Sequence, residues 1–97
     1  MLEPLATDLS RQTLLTIVNE RGLHARAAAR LVKLAGEFDS EIQVTCADLT
    51  VNGRSIMGLL LLGAGQGSEI TVTATGEDAV QALAGVIELV SSGFGEL

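Results

Sequence analysis

Tryptophan and tyrosine are absent from the 97 residues, phenylalanine occurs twice, and cysteine, histidine and proline occur once each. Positive charge is also scarce, with six bases against twelve acids and a net charge of −6. A groove for single-stranded nucleic acid combines basic residues with aromatic stacking platforms, so nucleic acid is not an expected partner. Cys46 and His24 together fall short of the roughly four ligands of a structural zinc site, so no metal is expected. A lone cysteine cannot close an intramolecular disulfide. Cys46 reads instead as a small buried apolar side chain at a strand end. The longest apolar run, Ile56 to Ala64, is far below the ~18 residues of a membrane span. Met1-Leu2-Glu3-Pro4 lacks the basic start of a signal peptide, which leads to the expectation of a soluble, cytoplasmic protein with no membrane insertion.

What is present is a core. Hydrophobic residues make up 47% of the chain, and the length suits one domain and no more. Residues 1–11 show no periodicity and read as a loose leader, leaving 12–97 as the domain. The charge is unevenly placed: Arg21, Arg26, Arg30 and Lys33 fall within thirteen residues that hold no acid and the only histidine.

Thr13 to Val18 is aliphatic and β-branched and predicts a strand, followed by a turn over Asn19 to Gly22. From Ala25 to about Gly36, Ala28, Leu31, Val32 and Ala35 recur at helical spacing, with Arg26, Arg30 and Lys33 opposite. Glu41 to Cys46, Leu49 to Val51 and Glu69 to Thr75 alternate as half-buried strands, the first two forming a hairpin. Ser55 to about Leu62 predicts a short helix with Ser55 as its N-cap. Ala79, Val80, Leu83, Val86, Ile87 and Val90 trace the inner face of a last helix, and Thr75 to Asp78 resembles a capping box. Three alternating strands among helices imply a two-layer α+β domain with an antiparallel sheet covered on one face.

Gly22-Leu23-His24-Ala25-Arg26 lies where a loop becomes a helix. The first amides of a helix carry partial positive charge and bind anions, and Arg26 in the first turn adds a guanidinium suited to phosphate. A neutral ring nitrogen of His24 there has the means to attack phosphorus while those donors hold the oxygens that gain charge.

Three stretches, Arg21-Gly22-Leu23-His24-Ala25-Arg26, Asn52-Gly53-Arg54-Ser55-Ile56-Met57-Gly58 and Gly65-Gln66-Gly67-Ser68-Glu69-Ile70, resemble in order and spacing the signatures of HPr. HPr is the histidine-containing phosphocarrier of the bacterial phosphoenolpyruvate-dependent phosphotransferase system. The resemblance spans about residues 12 to 95. It implies an open-faced β-sandwich, a four-stranded antiparallel sheet of order 1-4-2-3 with three helices on one face, and a monomer without cofactor. It implies a stoichiometric carrier rather than an enzyme, in which His24 accepts the phosphoryl group on Nδ1 from phosphorylated enzyme I and passes it to an enzyme IIA. Arg26 would be the phosphate-binding arginine. One departure stands out: the family usually has proline after that arginine, and this chain has Ala27, which presets the helix start less and predicts a more mobile active-site loop.

Ser55 matches the serine that HPr kinase/phosphorylase modifies in many relatives, which makes it a candidate regulatory phosphoserine. Ile56, Met57 and Leu60 are expected docking contacts, because the short helix has more large apolar groups than it can bury. Leu23, Ala27, Arg21 and Arg54 complete the expected partner surface, the arginines forming a charged rim with Arg26. Two rival readings fail on spacing: Gly53 to Gly58 is no hydrolase elbow, and Gly63, Gly65 and Gly67 lead into a strand rather than a helix, so they form no dinucleotide loop. The remaining alternative is a nitrogen-type regulatory phosphocarrier, NPr-like, with the same His24 chemistry and a different acceptor.

Overall fold

The computed structural model describes residues 9–97, so residues 1–8 of the expected leader lie outside the described residues. The elements run β1 (Ser10–Thr16), α1 (Ala25–Ala35), β2 (Glu41–Cys46), β3 (Leu49–Asn52), α2 (Ile56–Leu61), β4 (Glu69–Thr75) and α3 (Ala79–Ser91), followed by a 3₁₀ turn at Gly93–Gly95. The sheet order is β1-β4-β2-β3 with every pair antiparallel. This is the four-stranded 1-4-2-3 arrangement with three helices that the resemblance implied.

Alternation explains which face the helices cover. Ile42 and Val44 of β2 and Ile70, Val72 and Ala74 of β4 are fully or almost fully buried, and they meet Leu31, Ala35, Ala82 and Val86 in one core. Their neighbours in sequence point the other way, where the threonines of the opposite face pair across strands, as Thr45 Oγ1 does with Thr50 Oγ1 at 2.7 Å. Leu14 on that open face is 61% exposed.

Two expectations shift. β1 begins at Ser10 rather than Thr13 and ends at Thr16, so Ser10 and Arg11, assigned to the leader, belong to the sheet. Pairing with β4 from Ser10↔Thr75 to Thr16↔Glu69 sets this extent, and backbone pairing needs no apolar pattern in Ser-Arg-Gln. The inner face of α3 is Ala79, Ala82, Leu83, Val86 and Val90, whereas Val80 and Ile87 are exposed. Each of those two follows a buried residue by one position, a rotation of about 100° around the helix.

The capping box is replaced by a longer-range bond set. Asp78 occupies the N-cap of α3 but its side chain caps nothing there. Its carboxylate accepts from the amides of Asp39 and Ser40, both at 2.9 Å, and from the Ser40 hydroxyl. The Ser40 hydroxyl first, then the Asp39 amide, hold the Asp78 carboxyl below its ordinary value of 3.8. A carboxyl lowered by folding stabilises the native state above its unfolded value, and that contribution fades as pH falls through the lower, folded one. Acid titration of the unfolding midpoint should therefore show Asp78→Asn losing part of the fall that the native chain shows below about pH 4. Superimposable acid limbs for the two chains would contradict this.

Candidate functional site: a histidine at the mouth of helix α1

The loop before α1 is set by Gly22. Its φ of +67° is left-handed, and a Cβ there would lie 2.6 Å from the Ala64 carbonyl oxygen. The close approach lets the Leu23 amide donate to that oxygen at 2.9 Å. Two of the three signature stretches, 21–26 and 65–70, thus lie side by side, and the Gln66 amide reaches the Val18 carbonyl at 3.1 Å.

His24 is the N-cap residue of α1, with extended backbone and no capping bond from its side chain. The Ala28 amide closes the first helical turn onto the His24 carbonyl at 2.8 Å. The amides of Ala25, Arg26 and Ala27 are left without a hydrogen-bond partner among the described residues, three donors at the positive end of an eleven-residue helix. The His24 side chain is 17% exposed, at the surface rather than sealed in the core. Its Nε2 is hydrogen-bonded to Glu96 Oε2, and its Nδ1 has no partner among the described residues.

Glu96 arrives from 72 residues away because the chain reverses just after α3. Gly93, Phe94 and Gly95 take φ of +66°, +56° and +78°, and the fully buried Phe94 ring anchors the reversal. Arg30 donates to the Phe94 carbonyl oxygen, so this cation of the basic cluster fixes the segment. Asn19, only 1% exposed, donates from Nδ2 to the Gly22 carbonyl and to Glu96 Oε1, both at 2.9 Å. The Asn19 amide first, then the His24 ring, hold the Glu96 carboxyl below its ordinary value of 4.5. Glu20, Arg21, Arg26, Arg30, Gly95 and Glu96 line a polar cleft of about 390 Å³ beside the ring. Arg26 is exposed and makes no hydrogen bond or ion pair among the described residues.

The remaining expected residues divide. Ser55 is the N-cap of α2, its Oγ accepting from the Gly58 amide at 3.0 Å. Ile56, Met57 and Leu60 are 40%, 71% and 38% exposed, with only Leu59 of α2 in the core. Leu61, 70% exposed, belongs to the same bare surface and was not anticipated.

Leu23 and Ala27 do not belong to an outer docking surface. Leu23 is turned inward by the Gly22 loop, and Ala27 lies on the inner stripe of α1 with Ala28, Leu31 and Ala35. Arg54 is exposed and stands just before α2, but its guanidinium is engaged and lies away from His24. Its guanidinium donates to the carbonyls of Ala35, at 3.1 and 3.3 Å, and of Phe38, at the C-terminal end of α1. Eleven residues at about 1.5 Å each separate that end from His24 by roughly 16 Å. Arginine there satisfies carbonyls that the helix end leaves open.

Asn19, Phe94 and Glu96 were missed. Nothing local marks them, since their roles depend on contacts across most of the chain.

The structure is an open-faced α+β sandwich that presents one imidazole at a helix mouth, bonded at Nε2 and, among the described residues, without a partner at Nδ1. The PTS-HPr family model, described as the PTS HPr component phosphorylation site, matches residues 11–92. The chain is 42% identical over 88 residues to phosphocarrier protein HPr of Cupriavidus necator, covering 91% of this chain and 97% of that one. It is 44% identical over 90 residues to phosphocarrier protein NPr of Shewanella violacea, covering 93% and 97%. The crystal structure of HPr-C-His from Thermoanaerobacter tengcongensis superimposes with a TM-score of 0.86 at 39% identity, covering 90% and 98%. The chain belongs to the PTS-HPr family of phosphocarriers.

Among the described residues, no helix is long and apolar enough to cross a membrane, and no cluster of histidine, cysteine and acidic side chains could hold a metal ion.

Proposed function

We propose that this chain carries a phosphoryl group on Nδ1 of His24, taken from phosphorylated enzyme I and delivered to an enzyme IIA of the phosphotransferase system. The observation that carries this reading is a surface ring at a helix start whose Nδ1, like the first three amides of the helix, has no partner among the described residues. Those amides and Arg26 are the donors for the phosphoryl oxygens, whose charge they stabilise without a metal. Ala27 bears on this directly. Proline, the residue the family's pattern has there, carries no N–H, so alanine supplies one more donor at the helix mouth. The exposed Ile56, Met57, Leu60 and Leu61 of α2 form the apolar part of the docking surface, and Arg21 and Arg26 its charged part.

Labelled phosphoenolpyruvate with enzyme I tests the reading. The chain should take up acid-labile label and lose it to an enzyme IIA. Absence of uptake would end the proposal. The 44% identity to an NPr favours a second reading, a nitrogen-type regulatory carrier, and the acceptor that strips the label separates the two.

Ser55 is the regulatory site of this reading. Its hydroxyl stands at the start of α2, where a phosphate's negative charge favours the helix end and opposes an acidic partner. With ATP and HPr kinase/phosphorylase, mass analysis should find one phosphate on the native chain and none on Ser55→Ala. An unmodified native chain would remove Ser55 from the account.

A further inference from the structure

Among the described residues, the carboxylate of Glu96 is the one acidic group bonded to the His24 ring, and its own placement is enforced. Both partners of the Asn19 amide nitrogen, the Gly22 carbonyl and Glu96 Oε1, are acceptors only, so the amide can face them in just one orientation. That orientation turns the buried Asn19 Oδ1 away from both, and it has no partner among the described residues. The buried Phe94, flanked by left-handed glycines, and the Arg30 bond to the Phe94 carbonyl fix the same carboxylate from the other side.

The geometry points to Glu96, oriented by Asn19, as the positioning residue that keeps the His24 proton on Nε2 and stabilises the cation formed when Nδ1 is phosphorylated. This rests on the carrier reading of His24. An ionised carboxylate only accepts, so Nε2 must be the protonated nitrogen and the lone pair must sit on Nδ1. In the forward step that pair forms a bond to phosphorus, while the bond from phosphorus to the donor's leaving atom breaks and its electrons stay with the donor. The Nε2 proton remains, and the ring becomes a phosphoimidazolium cation facing the Glu96 carboxylate. In delivery a nucleophilic atom of the acceptor forms a bond to phosphorus while the N–P bond breaks, its electrons return to Nδ1, and neutral imidazole leaves. Without the Nε2 proton the leaving group would be an imidazolate anion, a far poorer one. Glu96 thus serves both directions of transfer, in the manner of the acid that orients the histidine of a catalytic triad. Glu20, Arg21, Arg26 and Arg30 are the other charged groups of this cleft. None of them is bonded to the ring.

The single histidine makes the test direct, because a chain grown on ¹⁵N-histidine gives one pair of ring signals. In alkaline buffer, where the ring is neutral, the native chain should show one tautomer, an unprotonated Nδ1 and a hydrogen-bonded Nε2–H. Glu96→Ala should move the two signals toward each other as the tautomers mix. It should also slow phosphoryl uptake from phosphorylated enzyme I by about tenfold or more, because the carboxylate bonds a ring that gains positive charge during transfer, and hydrogen bonds to charged groups are the strong ones. Glu96→Gln keeps the shape of the side chain but has a single acceptor oxygen where Asn19 and His24 each require one, so it should move both readouts in the same direction. A merely structural contact would lower the unfolding midpoint and leave the tautomer in place. Mixed tautomers in the native chain, or ring signals unmoved in both variants, would overturn the proposal. A native chain with one tautomer and no label uptake would instead overturn the carrier reading and leave only the tautomer assignment.

Discussion

Replacement of His24 by alanine should abolish acid-labile phosphate uptake while leaving the fold intact. The two halves of that outcome have separate causes. Phosphate uptake needs a nucleophilic nitrogen, and no other imidazole exists in the chain to substitute. Stability needs little from this ring. The backbone of His24 begins α1 in an extended conformation that alanine adopts as readily, and the side chain caps nothing. The ring's one hydrogen bond among the described residues, to Glu96, is at the surface, where such pairs contribute little, so its loss should barely move the unfolding midpoint. Label uptake and thermal unfolding, run on the same preparation, check both halves. Retained label would mean that phosphate sits on another residue. A collapsed unfolding midpoint would mean that the ring is a structural element after all.

The largest effect on stability should come from Phe94→Ala. Phe94 is the largest side chain that is fully buried, and deletion of a buried aromatic ring typically costs about 3 to 5 kcal/mol. That is a large part of the roughly 5 to 15 kcal/mol by which a small domain is stable. The melting temperature should fall by about 12 °C or more in a chain of this size. The same substitution removes the anchor of the Gly93–Gly95 reversal, so Glu96 should be released from His24. Melting followed by circular dichroism, together with the ring tautomer measured by ¹⁵N resonance, tests the pair. A midpoint within a few degrees of the native chain would show that the ring fills no essential part of the core.

Local pattern made most of the fold legible. Glu41–Cys46 and Glu69–Thr75 alternate strictly because one face is buried and the other is bare, and α1 follows a single apolar stripe. Where side-chain pattern is not what decides the structure, the reading drifted. β1 is delimited by its pairing with β4. In α3, an almost wholly apolar helix, Val80 and Ile87 carry the same hydrophobic signal as the residues that point inward. Asp78 has the residue type and the position of a cap, yet its carboxylate finds better donors on the segment before β2. The strand order came from family resemblance, since nothing in the periodicity specifies it.

The site was legible at its centre and obscure around it. His24, Arg26 and Ser55 announce themselves by residue type at helix starts. Arg54 looked like a free cation because a sequence does not show which carbonyls a helix end leaves open. Leu23 and Ala27 looked available because both lie within three residues of the histidine, but the left-handed turn at Gly22 directs Leu23 inward and the helix rotation does the same for Ala27.

The bond between His24 and Glu96 joins positions 72 apart, one of the longest closures in the molecule. Contacts of that span form only after the entropy of ordering the intervening chain has been overcome, which places them late in assembly. During synthesis, an emerging chain would have its histidine exposed and its helix begun while the ring still turned freely. The ring's orientation would then be fixed only once the Gly93–Gly95 reversal had folded back onto the start of α1.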